Sequence, residues 1–396
     1  MAIAPPARLT LPQADPASEG VDPERLDRLY GVVEGHIAEG RYPGAQVALA
    51  RRGKLLAQRS FGEARVALPP PSGQAAREAS DDSLWLLYSQ TKVVTAAAIW
   101  VLVERGALTF NDRIADHVPE FAANSKGGIT LQQVLTHQAG FPNARPGAEV
   151  WSDHELLRRK VCDFELEWGP GSKVHYHGAS AHWTCAALIE AVTGRDYREL
   201  IRSEVLDPLG IDDIYVGVPE DQQGRCIDMH ERKDGQHVGL GTGPDASPTD
   251  QVNGPAFRTA GVPGGGGYAT AAAMAAFYQM LVAGGTLNGT RLFSPRLIRW
   301  VTSNQTGDRI DESFNIPMHR GLGPHVRGTT PVIRGLGSIA TPSTFGHGGA
   351  GTSYSWADPE SGLSFTYLTN GRADEPWHSR RLDQISSLAH ASLVEP

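Results

Sequence analysis

The hydrophobic residues near the two ends of the chain are spaced for one helix and several strands. Residues 23–40 carry apolar side chains at intervals of three and four, which predicts an amphipathic helix. Strand-like runs follow at residues 45–50 and 55–59, and the Arg-Arg-Gly-Lys segment between them predicts a hairpin turn. Strand patterns return at residues 352–357 and 363–368. The two ends therefore share a preference for β-structure.

The middle of the chain has a mainly helical pattern. Helices are expected across much of residues 111–209, at residues 271–283 and at a terminal segment near 379–393. Strands at both ends with helices between them favour an α+β fold, in which one antiparallel sheet is flanked by helices and carries an inserted all-helical lobe. The predicted divisions are an N-terminal arm at 1–22 and one domain at 23–396, with a sheet lobe at about 23–110 and 285–396 and a helical lobe with loops at about 111–284.

The run at residues 93–103 is apolar nearly all round, which predicts a helix buried on every side. Gly106 is suited to the position just past its C-terminus. Ser89 is then placed at the start of this helix and Lys92 one turn further on. Because residues three apart share a helix face, the hydroxyl and the amine point the same way, near the positive end of the helix dipole.

Ser89 and Lys92 together predict a nucleophile and its base. A serine hydroxyl needs a neighbouring base, and lysine can serve only where burial or nearby charge lowers its pKa. The alternative is a serine helix cap beside a solvated lysine. Since Ser-x-x-Lys occurs by chance about once in a chain of this length, further signals are needed to distinguish a nucleophile and its base from a helix cap.

Two later segments supply candidate partners. Tyr176 follows a Gly-Pro-Gly turn and precedes a predicted helix at 181–192, so that its hydroxyl could reach a cleft. The alternative is a half-buried aromatic residue with a hydrogen-bonded hydroxyl. The glycine-rich segment 345–352 contains His347 and precedes a strand, where small residues let a substrate approach the backbone. Its alternative is a flexible loop between strands.

The order of these segments resembles that of a known superfamily. Its motifs are Ser-x-x-Lys, Tyr-x-Asn and Lys/His-(Thr/Ser/Gly)-Gly, and the corresponding segments here are Ser89-Gln90-Thr91-Lys92, Tyr176-His177-Gly178 and His347-Gly348-Gly349. Across about residues 24–390 the chain resembles the serine β-lactamase/penicillin-binding-protein superfamily, in the class C β-lactamase-like branch that includes the family VIII carboxylesterases. Residues 135–140, Leu-Thr-His-Gln-Ala-Gly, are similar to the Leu-Thr-His-Thr-Ser-Gly of that family.

The resemblance implies a serine hydrolase with an acyl-enzyme intermediate and no cofactor. Ser89 would be the acylated nucleophile, and Lys92 and Tyr176 would carry its proton to the leaving group. The backbone N–H groups of Ser89 and Ala350 would form the oxyanion hole. The implied substrate-binding residues are His347, Gly348, Gly349, His177 and Gly178.

Two departures from the motifs narrow the expected substrate. Gly178 replaces the asparagine of the second motif, which removes an amide donor, and His347 replaces the usual lysine of the third, which removes a fixed positive charge. His177 is the candidate to replace part of the lost contact. We therefore expect a carboxylesterase acting on short acyl esters. Alternatives are an acyltransferase, a β-lactamase or D-amino-acid peptidase, and a catalytically silent binding protein.

Composition and charge exclude several partner classes. The net charge is −8 and no Lys/Arg cluster stands out, so nucleic acid and anionic membranes are not expected partners; a small acyl ester is. Three widely spaced cysteines indicate free thiols in a reducing compartment. With neither a signal peptide nor an apolar span recognisable, a cytoplasmic location is expected. The sequence leaves the oligomeric state open.

Two further patterns do not predict a cofactor or metal. His175, His177 and His182 cluster near Tyr176 but lack carboxylate or cysteine partners at metal-binding spacing. The glycines of residues 346–351 match a dinucleotide-binding pattern, yet they lead into a strand rather than a helix. We expect no metal and no cofactor.

Overall fold

The computed structural model describes residues 11–67, 75–240 and 251–394. Its strands are β1 (Gly44–Arg51), β2 (Lys54–Arg65), β3 (Arg77–Glu78), β4 (Trp85–Leu86), β5 (Ile214–Val216), β6 (His230–Lys233), β7 (Gln236–Gly239), β8 (Gly267–Ala269), β9 (Thr286–Leu287), β10 (Thr290–Arg291), β11 (His325–Val326), β12 (Phe345–Gly348), β13 (Tyr354–Asp358) and β14 (Leu363–Thr369). Its α-helices are α1 (Pro23–Ala38), α2 (Thr91–Glu104), α3 (Ile114–His117), α4 (Leu131–Leu135), α5 (His154–Cys162), α6 (Ser180–Thr193), α7 (Tyr197–Leu200), α8 (Pro255–Ala260), α9 (Ala271–Val282), α10 (Pro295–Val301) and α11 (Trp377–Ala391).

A seven-stranded antiparallel sheet joins the two ends of the chain. Its strand order is β11-β12-β13-β14-β1-β2-β3, so the N-terminal hairpin β1–β2 pairs with the C-terminal hairpin β13–β14 through β1 and β14. This confirms the predicted fold class. Because side chains alternate along a strand, Val47 and Leu49 pack with α1 and α11 on one face, whereas Ala48 and Ala50 pack with α2 and α9 on the other.

Helix α2 lies in the centre of the larger core. Its residues from Thr91 to Leu102 are all buried, as the apolar pattern predicts. Gly106 follows the helix end with φ +72°, a left-handed conformation that glycine adopts without strain. One detail differs from the prediction, since Ser89 lies in a 3-10 turn, Tyr88–Gln90, and the α-helix begins only at Thr91.

The inserted lobe requires a correction, because it is not all-helical. It holds helices α3 to α8, but β5 and β8 pair there with β4 in a three-stranded sheet, and β6 and β7 form a hairpin. Helix α9 packs on β1, β13 and β14 of the main sheet, so the helical lobe ends before this helix rather than near residue 284. These strands have two to four residues, too few for a clear alternating pattern.

Part of the predicted N-terminal arm is attached to the sheet. Gln13 forms an isolated bridge with Leu55 of β2, and the Ala14 N–H donates to the Leu55 carbonyl at 3.0 Å. Residues 1–10 of the arm, residues 68–74 of a predicted loop and residues 241–250 of another lie outside the described residues. Within the described ranges, no helix combines the length and apolar character that crossing a bilayer requires.

Candidate active site

A tight turn positions Ser89. The residue before it, Tyr88, has φ +45°, an uncommon conformation for a non-glycine residue. Strand β8 fixes this turn on both sides: the Leu87 N–H donates to the Gly267 carbonyl at 2.8 Å, and the Gly267 N–H donates to Thr91 Oγ1 at 2.9 Å. The turn that carries the serine is therefore held by hydrogen bonds to β8 on either side of it.

The structure brings Ser89, Lys92 and Tyr176 together. Lys92 Nζ lies 3.2 Å from Ser89 Oγ, and the Tyr176 hydroxyl donates to the same oxygen at 2.8 Å. Lys92 Nζ also lies 5.1 Å from the centre of the Tyr176 ring. Both distances to Ser89 Oγ are within reach for proton transfer. The two residues are thus placed to exchange a proton with the serine.

Lys92 is fully buried without a carboxylate partner in the described ranges. Its amine donates to the carbonyls of Gly178 and Gly264, at 2.8 and 2.5 Å. Burial is the main cause that lowers the pKa of Lys92; the charge of Arg320 lowers the pKa further, whereas Tyr176 raises it. A lowered pKa makes the neutral amine, the form that can accept a proton, more accessible.

A distant loop holds Tyr176 in place. Its backbone N–H donates to Ser313 Oγ at 2.8 Å and to Asp311 Oδ1 at 3.3 Å. The rings of His137 and Phe314 lie with their centres 4.7 and 5.7 Å from the tyrosine ring. Sequence reasoning missed the residues of this loop because they occupy an irregular segment with no recognisable motif.

The third motif forms strand β12 rather than a loop, and His347 lies on it. Its ring is buried, and this burial holds the pKa of His347 well below its ordinary value, so that the ring is neutral. Nδ1 lies 2.8 Å from the Gly348 carbonyl, which places the proton there and leaves Nε2 as an unpartnered acceptor. His347 makes no hydrogen bond with Tyr176, because Nδ1 pairs with the Gly348 carbonyl and Nε2 has no partner among the described residues.

The glycines after His347 let β12 approach the serine turn. A Cβ atom on Gly349 would lie 2.8 Å from the Leu87 carbonyl oxygen, and one on Gly348 would lie 2.9 Å from a Tyr354 ring atom. Beyond them, Ala350 lines the same cavity as Ser89. The two residues of the predicted oxyanion hole therefore border one cavity.

The second motif differs from its expected arrangement. His177 is buried away from the cavity: its Nε2 accepts the N–H groups of Gly140 and Phe141, each at 3.1 Å, and its Nδ1 lies 2.6 Å from the His175 carbonyl. Both ring nitrogens are occupied, so the expected substrate contact of His177 is not supported. Gly178 contributes through its carbonyl, which accepts from Lys92.

A cavity of about 520 Å³ opens above Ser89 and Tyr176. Arg334 borders it, yet its guanidinium donates to the carbonyls of Pro317, Arg327 and Thr330 and to the Thr330 hydroxyl. Its hydrogen-bond donors are therefore occupied by the protein. The apolar wall of the cavity consists of Phe314, Ile316, Met318, Ile333 and Leu382.

One group of the described residues has the spacing of metal ligands, namely His154, Glu190 and Asp196. The imidazole of His154 already pairs with the carboxylate of Glu190 at 2.7 Å, and Arg198 donates to Asp196 at 2.5 Å. The arginine supplies the positive charge that these carboxylates need. We interpret the group as an ion-pair network remote from the serine.

Fold and site together define the protein as a serine hydrolase of the β-lactamase superfamily. The family model described as Beta-lactamase matches residues 29–389, and the chain belongs to this family. Esterase/beta-lactamase LipL of Mycobacterium tuberculosis is 29% identical over 338 residues, 80% of this chain and 73% of LipL.

Two solved structures share the fold over nearly their whole length. A penicillin-binding protein homologue from Caulobacter crescentus has a TM-score of 0.79 and 28% identity, covering 94% of this chain and 99% of that one. A family VIII carboxylesterase has a TM-score of 0.76 and 26% identity, with the same coverage of 94% and 99%. The relatives therefore include esterases and penicillin-binding-protein homologues.

Proposed function

We propose that the protein is a carboxylesterase that cleaves short acyl esters through an acyl-enzyme intermediate on Ser89. The observation that carries this proposal is the position of Ser89 Oγ, 3.2 Å from Lys92 Nζ and 2.8 Å from the Tyr176 hydroxyl, at the cavity. A serine oxygen flanked by a buried amine and a phenol has two routes for losing its proton.

The proposed reaction has two stages. Ser89 Oγ attacks the ester carbonyl while its proton passes to the Lys92–Tyr176 pair, and the C–O bond to the alcohol breaks as that proton moves to the leaving oxygen. Water then adds to the acyl-enzyme by the reverse sequence and releases the acid. The N–H groups of Ser89 and Ala350 would stabilise the oxyanion in both stages, worth about 3 kcal/mol for one donor in comparable sites.

The character of the cavity supports esters without a charged acyl group. His347 presents a neutral acceptor where the related motif has a lysine, and the donors of Arg334 are occupied by the protein. A carboxylate on the substrate would lose hydration without gaining a hydrogen bond from a cationic side chain. The apolar wall instead favours hydrocarbon. The names of LipL and of the family VIII carboxylesterase agree with esterase chemistry.

The test is intact-mass spectrometry after brief incubation with p-nitrophenyl acetate, with nitrophenol release followed alongside. We expect an acetyl adduct on the wild-type protein and none on Ser89→Ala. A Ser379→Ala variant removes a different hydroxyl at the same cavity, one that donates to Glu375 at 2.8 Å, and should still gain the adduct. Wild-type turnover by Ser89→Ala would exclude Ser89 as the nucleophile.

The same experiment separates the alternatives. An adduct that persists until an amine or alcohol is added would identify an acyltransferase. Absence of both adduct and release would reject the short-ester proposal, and β-lactams would then be the next substrates to test.

A further inference from the structure

A buried ion pair lies directly behind Tyr176. The side chains of Arg320 and Asp311 are 2% and 0% exposed. Asp311 Oδ2 accepts from Arg320 Nε at 3.0 Å and from Nη2 at 2.5 Å, a charge-assisted contact from one edge of the guanidinium. Burying two charges costs desolvation, so a buried ion pair is weak evidence of a stabilising role. The position of this pair next to Tyr176 points to a role in the active site.

Both members of the pair contact Tyr176, from different directions. The second carboxylate oxygen of Asp311, Oδ1, accepts the Tyr176 N–H at 3.3 Å. The Arg320 guanidinium carbon lies 4.8 Å from the centre of the Tyr176 ring and 5.8 Å from that of Phe314. The carboxylate thus fixes the tyrosine backbone while the guanidinium contacts its ring.

The free edge of the guanidinium extends the contact to the third motif. Arg320 Nη1 lies 2.8 Å from His325 Nε2, which must be the acceptor because an arginine nitrogen only donates. The proton of the neutral His325 ring is then on Nδ1, which donates to the Tyr354 hydroxyl at 3.2 Å. The centres of the His325 and His347 rings are 4.1 Å apart. The arginine therefore contacts Tyr176 directly and the His347 strand through His325.

Arg320 also supplies charge close to Lys92. Burial is the main cause that lowers the pKa of Lys92, Tyr176 raises it, and the positive charge of Arg320 makes a smaller contribution that lowers it. Besides Ser89 and Tyr176, four histidines lie around the Lys92 amine. Burial holds the pKa of each histidine well below its ordinary value, so that all four are uncharged. They are His137, His182, His325 and His347.

We propose that Arg320, oriented by Asp311, is a positioning residue that fixes the Tyr176 ring and places a second positive charge near the Lys92 amine, which contacts the same ring. Arg320 acts through Tyr176 and Lys92 and does not line the substrate cavity. Its proposed role deepens the proposed function and rests on it for the identity of the reacting groups. A residue of this kind should affect kcat and its pH dependence and leave KM unchanged.

The test removes both charges at once, because a single substitution would leave a buried charge unpaired and endanger folding. In the double variant Asp311→Asn/Arg320→Gln, the acidic limb of the pH profile should move to higher pH, since a neighbouring like charge has been removed from Lys92. Because the Tyr176 ring also loses its support, kcat should fall about tenfold or more, with KM unchanged.

Arg320→Lys is the matched control. It keeps the positive charge but loses the planar fork that pairs with Asp311 and stacks on the ring. We expect the acidic limb to stay in place while kcat falls. A wild-type kcat in this variant would overturn the positioning role, and an unmoved limb in a folded double variant would overturn the electrostatic role. If the double variant fails to fold, Arg320→Lys still decides the positioning role.

Each profile should be recorded with two reactions, p-nitrophenyl acetate turnover and the phosphonylation of Ser89 by a fluorophosphonate. Phosphonylation reports activation of the serine whether or not esters are the substrate. A wild-type protein that is phosphonylated but does not hydrolyse esters would contradict the carboxylesterase proposal alone, and the shift of the limb would still test Arg320.

Discussion

Two lysines of this protein, Lys92 and Lys126, are both inaccessible to solvent, but the amine of Lys92 lies deeper and the two differ in their third hydrogen bond. Each side chain is 0% exposed, and burial is the main cause that lowers the pKa of each amine. Lys126 donates to three backbone carbonyls, those of Ala123, Cys162 and Phe164, at 2.8, 2.8 and 2.6 Å. Lys92 donates to two carbonyls and directs its third bond to the hydroxyl of Ser89.

The neighbouring charges of the two lysines also differ. After burial, the contributions to the pKa of Lys126 come from Cys162, Asp163 and Glu165, all of which favour its charged form. For Lys92, the next contributions come from Tyr176 and favour the charged form, whereas a smaller one from Arg320 favours the neutral form. Burial alone therefore does not make a lysine a base. A hydroxyl partner and a nearby cation distinguish the reactive site from the structural one.

The largest expected difference is in activity. Lys92→Met should lower kcat for p-nitrophenyl acetate by at least about 10³-fold, because it removes a proton acceptor next to Ser89. Lys126→Met should retain the wild-type kcat, because its amine contacts carbonyls of another loop. Steady-state kinetics on both folded variants gives the answer. Comparable losses in the two variants would refute the distinction.

Stability should show the opposite ranking. Lys126→Met leaves three carbonyls without their donor, two of them in buried hydrogen bonds, and should lower the free energy of unfolding by at least about 2 kcal/mol. Lys92→Met should cost less, because it leaves only two carbonyls unpaired and removes an amine whose charged form is penalised by burial. Urea unfolding of both variants measures the difference, and a more stable Lys126→Met would contradict this ranking.

Part of this comparison could be predicted from sequence and part could not. The buried helix and the approach of Lys92 to Ser89 follow from local spacing, since residues three apart share a face. The meeting with Tyr176 followed only from resemblance to a family. Asp311 and Arg320 lie in an irregular segment, where no periodicity marks a residue that folds onto a distant ring. His177 was assigned to the cavity because of its neighbours in sequence, which do not determine the direction of its side chain.

The pH dependence of the reaction should distinguish the lysines further. The neutral fraction of Lys92 rises with pH up to its pKa, which is lowered from the ordinary 10.5. Activity should therefore rise about tenfold per pH unit on the acidic limb and level off below pH 10.5. Lys126→Met should leave this limb in place. A pH profile of Ser89 phosphonylation provides the measurement. A limb that moves in Lys126→Met would show that the acidic limb does not report the titration of Lys92 alone.

The smallest expected effect concerns Gly178, one of the two residues whose carbonyl accepts from Lys92. A Cβ atom there would meet only Tyr176 Cε1, at 3.9 Å, so Gly178→Asn should fold and gain up to about 1 kcal/mol from a less flexible unfolded chain. Its amide restores the donor of the related motif and should raise β-lactam hydrolysis up to about tenfold, the value of one hydrogen bond. Gly178→Ala supplies the Cβ without the amide. Equal β-lactam rates in the two variants would show that the missing amide does not limit the substrate range, and the neutral His347 would remain as the cause.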